Sequence, residues 1–197
     1  MRIFPGYPKH SSPIATTVLL DANILYPFYT RDVFLNFFSG GLIRAHWTEC
    51  ILAEWIRSAR RKIPNKIDSI HGQERRMRKD FPEAMVTSFE QYITGLELPD
   101  PDDRHVLAAA IQCETRYIVT EDLGDFPREY LAQFGIEPIG PGAFLGMIWD
   151  SYPKEARKVL LQVKENYRNP PFTASGFLEL LHDIKMGELA VRLGEKP

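Results

Sequence analysis

Thr16-Thr17-Val18-Leu19-Leu20-Asp21-Ala22-Asn23-Ile24-Leu25 is the stretch whose reading decides the architecture. The run from Ala15 to Leu20 is short, apolar and β-branched, the pattern of a strand buried on both faces. Asp21 closes it. A carboxylate at the end of a buried strand has to be hydrogen-bonded, paired with a cation or bound to a metal. The strand therefore predicts a parallel sheet, and its last residue predicts a site at the carboxyl edge of that sheet.

Working outward, residues 1–14 are rich in Pro and Ser and read as an irregular arm. Asn23 to Tyr26 and Arg31 to Phe38 read as helical, ending at Gly40-Gly41. Ile43 to Trp47 is expected to be a second strand. Thr48 suits the N-cap of a helix from Glu49 to Lys62, which Pro64 stops. A basic helical stretch is expected from Lys66 to Arg78, and another helix from Pro82 to Thr94. Asp100 and Pro101 form a cap and first position for the helix that follows. Arg116 to Thr120 and Ile136 to Ile139 complete the strands. Strands alternating with helices predict an α/β fold whose parallel sheet is covered on both faces and wound right-handed.

Beyond Pro141 only helices are expected: Ala143 to Trp149, Pro153 to Tyr167 and Thr173 to Lys185. The second carries a stripe of Ala156, Val159, Leu160 and Val163, and the third one of Phe177, Leu180, Leu181 and Ile184. The expected division is an α/β domain over residues 15–142 and a helical C-terminal extension over 143–197.

The chain has 197 residues, 44% hydrophobic and 25% charged, enough apolar material for a full core. A formal charge of −2 names no partner, but the charges are segregated. From Arg57 to Lys79 there are nine basic and two acidic residues; from Glu97 to Glu137 there are ten acidic and three basic. Cys50 and Cys113 fall outside any metal-ligand spacing and read as reduced core residues. Trp47, Trp55 and Trp149 read as core anchors. With no secretory leader and no apolar run of about 18 residues, a cytoplasmic protein without a membrane span is expected.

Four carboxylates stand at element ends or helix starts: Asp21, Glu54, Asp103 and Asp125. Each has a plainer reading. Asp103 could support a helix N-terminus, Asp122 and Asp125 could serve turn geometry, and Glu54 could face solvent. Converging carboxylates repel one another unless a cation sits among them. If they meet, a divalent metal site follows.

Leu20-Asp21-Ala22-Asn23-Ile24-Leu25, Glu54 in a helix, Asp103-Arg104-His105-Val106-Leu107-Ala108-Ala109-Ala110 and Val119-Thr120-Glu121-Asp122-Leu123-Gly124-Asp125-Phe126 together resemble the PIN domain. More narrowly they are similar to VapC-type toxin ribonucleases of toxin–antitoxin pairs. The resemblance covers residues 15 to 142. It implies a compact α/β/α sandwich with a central parallel sheet and an endoribonuclease dependent on Mg²⁺ or Mn²⁺. Asp21, Glu54, Asp103 and Asp125 match the acidic set, Asp122 a more variable acidic position, and Asn23 and Thr120 the polar positions that orient the set. Asp21, Asp103 and Asp125 are the expected metal ligands, and Glu54 the residue that orients the attacking water. RNA as substrate, a protein antitoxin and a homodimer are implied as partners. The basic insertion and the helical tail depart from the commonest short toxin.

An acidic pocket that cuts a polyanion needs cations nearby. Arg57, Arg60, Arg61, Lys62, Arg75 and Arg76, with Lys66, Arg78 and Lys79, are candidate RNA contacts; a solvated helix face is the alternative. His105 lies in an apolar helix, which favours packing over acid–base work. Two rival readings remain. One is a non-catalytic PIN-like module that binds RNA or protein. The other is a haloacid-dehalogenase-like phosphatase, which wants a second Asp where this chain has Asn23.

Overall fold

A computed structural model describes residues 15–195; the arm expected over residues 1–14 lies outside them. Strand β1 (Thr16–Leu20) leads through Asp21 into α1 (Ala22–Leu25), and α2 (Phe28–Ser39) follows. Next come β2 (Ile43–His46), α3 (Glu49–Lys62) and α4 (Ile67–Asp80). After a long irregular segment come α5 (Arg104–Gln112), β3 (Tyr117–Val119), α6 (Arg128–Leu131) and β4 (Glu137–Ile139). The chain finishes with α7 (Pro141–Ser151), α8 (Pro153–Asn166), α9 (Ala174–Asp183) and α10 (Gly187–Gly194).

The strands form one parallel sheet in the order β2-β1-β3-β4, which establishes the α/β class. Val18, Leu19 and Leu20 pair with Tyr117, Ile118 and Val119, and those three pair with Glu137, Pro138 and Ile139. All of Val18–Leu20 and Ile118–Val119 are fully buried, as β-branched and apolar residues in a two-sided parallel strand should be.

The chain folds as two compact units. One comprises Thr17–Pro27 and Ala45–Ile139. Here α1 packs on α3, α3 on α4, and α5 on β3. Thr48 caps α3 by accepting from the Ile51 N–H at 3.1 Å, which stabilises such a helix by about 1 kcal/mol. Ile51, Leu52, Trp55 and Ala59 form its buried stripe. Ala108, Ala109 and Ala110 of α5 are fully buried, small enough for a helix to lie close against its neighbours.

The other unit is built chiefly from Phe28–Arg44 and the chain from Gly140 onward. In it, α2 packs on α8, α7 on α8 and on α10, and α9 on α10. Phe34 stacks on Phe144 with ring centroids 6.1 Å apart. Gly142 is forced: a Cβ there would lie 2.3 Å from the Lys185 carbonyl oxygen. Asp32 is buried and accepts from the Tyr167 hydroxyl at 2.5 Å, so α2 and the end of α8 share a buried polar link.

Some expectations fail locally. No helix runs from Pro82 to Thr94; only short 3-10 turns form at Pro82–Ala84 and Glu90–Tyr92. The backbone between them is used otherwise. Trp47 N–H donates to Ala84 O at 3.0 Å and Val86 N–H to Trp47 O at 2.9 Å, and Ser88 takes a φ of 61°. Cys50 is exposed rather than in the core, because it lies off the Ile51–Leu52–Trp55 stripe of α3. Cys113 is partly buried and free. The three tryptophans are buried, as expected. No helix among the described residues is long and apolar enough to cross a membrane.

Candidate active site

The register of β1 against β3 puts their carboxyl ends side by side, so Asp21 and Thr120 emerge together. Asp21 N–H donates to Val119 O at 3.1 Å, and Thr120 N–H to Ile139 O at 3.1 Å, extending the ladder past the strand ends. Asp21 is 6% exposed, and both its carboxylate oxygens accept hydrogen bonds. Its Oδ1 accepts from the Ala22 N–H at 2.6 Å, which also caps α1. Its Oδ2 accepts from the Thr120 hydroxyl at 2.7 Å and from Asn23 Nδ2 at 2.9 Å.

Asn23 ties the two loops together. Its Nδ2 also lies 2.9 Å from Thr120 Oγ1 and 3.0 Å from Asp122 Oδ2, and its Oδ1 accepts from the Glu121 N–H at 3.2 Å. An Asp here would offer no donor to Asp21. The amide is thus what lets two carboxylates, Asp21 and Asp122, share one neighbour.

The remaining carboxylates come from two further segments. Asp100 accepts from the Asp102 N–H at 2.8 Å and opens the turn that delivers Asp103 to the start of α5. Asp125 ends a short 3-10 turn anchored by the fully buried Phe126. Burial first, and then the negative charges of Asp21, Asp100, Asp125 and Glu54, together raise the Asp103 pKa to about 7. Burial likewise raises that of Asp21; the hydrogen bonds from Thr120 and Ala22 oppose this, while Glu54 and Asp122 reinforce it. Asp21, Glu54 and Asp125 therefore all lie within electrostatic reach of Asp103, and Glu54 within reach of Asp21.

Glu54 is held by His105, whose Nε2 lies 2.8 Å from Glu54 Oε1. The sequence alone favours core or near-site packing for His105 over acid–base work. The contact joins residues 51 positions apart, and no local pattern signals it. The contribution of Asp100 to the charge at Asp103 was likewise missed, since its capping role accounts for it in the sequence.

Among the described residues, no three His, Cys, Asp or Glu side chains form a ready-made ligand cage. The donor set still fits a hard dication. All four groups offer carboxylate oxygens, and Mg²⁺ keeps several waters and takes only one or two carboxylates directly. A half-buried Asp pushed toward neutrality by burial and then by its acidic neighbours is a group that a cation would relieve.

The basic run divides in two. Arg57, Arg60, Arg61, Lys62, Lys66, Arg75, Arg76 and Lys79 are exposed. Arg57 and Arg61 lie three and seven positions beyond Glu54, on the same side of α3. Lys62 sits over the Tyr26 ring at 4.8 Å. Arg78 is committed elsewhere: it pairs with Glu74 of its own helix and, through Nη2 at 2.6 Å, with Glu49 of α3.

Over 79 residues the chain is 38% identical to "Putative ribonuclease VapC50" of Mycobacterium tuberculosis, a stretch covering 40% of this chain and 47% of that protein. The match thus spans about half the length of this curated relative. No family model matches the chain, and no solved structure matches it.

Proposed function

We propose that the chain is an endoribonuclease dependent on Mg²⁺ or Mn²⁺, acting as the toxin of a type II toxin–antitoxin pair in the cytoplasm. The observation that carries this reading is the convergence on Asp103, whose carboxyl feels Asp21, Asp125 and Glu54 together. The partial likeness to a protein named as a ribonuclease supports it independently.

In this reading Asp21 and Asp125 would hold the ion directly and Asp103 directly or through a water, with Asp122 as a further acidic neighbour. When bound, the ion supplies charge neutralisation for the scissile phosphate and makes water a better nucleophile. Thr120, Asn23 and the Ala22 N–H fix the Asp21 carboxylate, so its oxygens need no reorganisation when substrate arrives. Glu54 orients the attacking water. Arg57, Arg60, Arg61, Lys62, Arg75 and Arg76 take RNA phosphates beside the acidic pocket. A protein antitoxin and a second copy of the chain are the proposed protein partners.

The test is cleavage mapping on total RNA with wild type beside Asp21→Asn. Wild type should cut with Mg²⁺, stop in EDTA, and lose at least about 100-fold in rate in the variant, as expected for loss of a metal-holding or charge-stabilising group. Expressed in a bacterial host, wild type should arrest growth and the neighbouring gene should relieve it. Equal cleavage by both proteins would remove Asp21 from the site.

A further inference from the structure

We infer that His105 is a positioning residue that fixes the Glu54 carboxylate for the reaction proposed above, on which this inference rests. Glu54 stands on α3 with its side chain 30% exposed, and a glutamate so placed has several rotamers open to it. One contact restrains it: the bond between its Oε1 and His105 Nε2 at 2.8 Å. His105 is itself well held. Its side chain is 12% exposed, and it stands in the first turn of a helix whose next five residues, Val106 to Ala110, are fully buried.

A carboxylate only accepts, so Nε2 is the nitrogen that donates in this contact. Nδ1 is buried with no hydrogen-bond partner. A ring that turned over would present that nitrogen to Glu54 and bury Nε2 instead, so one face of the imidazole is tied to one oxygen. His105 also lies two residues after Asp103. The start of α5 therefore sets Asp103 directly and Glu54 through the imidazole, and a single rigid helix holds the two in register.

The consequence is a rate effect without a binding effect. His105→Phe should lower kcat about 10- to 100-fold, the usual range for a residue that orients a catalytic ligand, with KM unchanged. His105→Gln, which can place an amide N–H near the Nε2 position, should recover most of that loss. In a cycle with Glu54→Gln, the double variant should be no slower than the slower single variant. Nitrogen-15 NMR of the whole chain gives a readout independent of activity. His105 should show a slowly exchanging Nε2–H that is lost in Glu54→Ala. An active wild type with unimpaired His105→Phe, or losses that multiply in the double variant, overturns the inference. A fast-exchanging His105 ring overturns it whether or not the chain cleaves RNA. An inactive wild type with the NMR signature intact instead defeats the ribonuclease reading, and with it the catalytic purpose of the contact.

Discussion

At the scale of residues, Asp103 carries the sharpest consequence. Its pKa rises from 3.8 to about 7 in the folded chain, first through burial and then through Asp21, Asp100, Asp125 and Glu54. A carboxyl with a raised folded pKa binds its proton more tightly in the native state. Its contribution to stability is then fully present below the unfolded value of 3.8 and is lost as pH rises through about 7. Asp103→Asn removes the titrating group. In metal-free buffer the variant should melt higher than wild type at pH 8, and its melting temperature should fall less between pH 4 and pH 7. Thermal scans across that range check this, and identical profiles for the two proteins would contradict it. Asp21 was readable from sequence as a constrained carboxylate, because a buried strand end leaves an acid few options. The role of His105 was not, because its meaning lies in a contact with Glu54 made only by the fold.

At the scale of elements, α3 and α4 separate two kinds of basic residue. Arg78 bridges the helices by pairing with Glu49 and Glu74, so its charge is already used. Arg57 and Arg61 are exposed on the Glu54 side of α3. Replacing Arg57 with Ala should reduce the slope of log affinity against log salt for single-stranded RNA by about 0.7, the value for one lost phosphate contact. Replacing Arg78 should leave the slope unchanged and lower the melting temperature instead. Fluorescence anisotropy at several salt concentrations separates the two. The cap at Thr48 and the span of α3 were legible because capping and stop signals agree at both ends. The segment after Pro82 was not, because its backbone pairs with Trp47, which is distant in sequence. The stop near Lys185 was legible, but helix α10 beyond it was not. Lys185 takes a φ of 60°, a conformation that nothing in a lysine side chain announces.

At the scale of the molecule, the alternation of short apolar runs with helices was enough to give a parallel sheet, and the adjacency of β1 and β3 is what unites Asp21 with Thr120. The chain's division into units was harder to foresee. Phe28–Arg44 groups with the chain from Gly140 onward, although Ala45–Ile139 lies between them in sequence. Composition does not encode such a grouping; it emerges from α2 packing on α8. A net charge of −2 conceals a basic run next to an acidic one. That segregation suits a protein that must hold a polyanion against carboxylates, provided a cation stands between them. Calorimetric titration of the metal-free chain with Mn²⁺ tests this most directly. Wild type should bind the ion with a saturable heat that disappears in Asp21→Asn, whereas a flat titration of folded wild type would contradict the account.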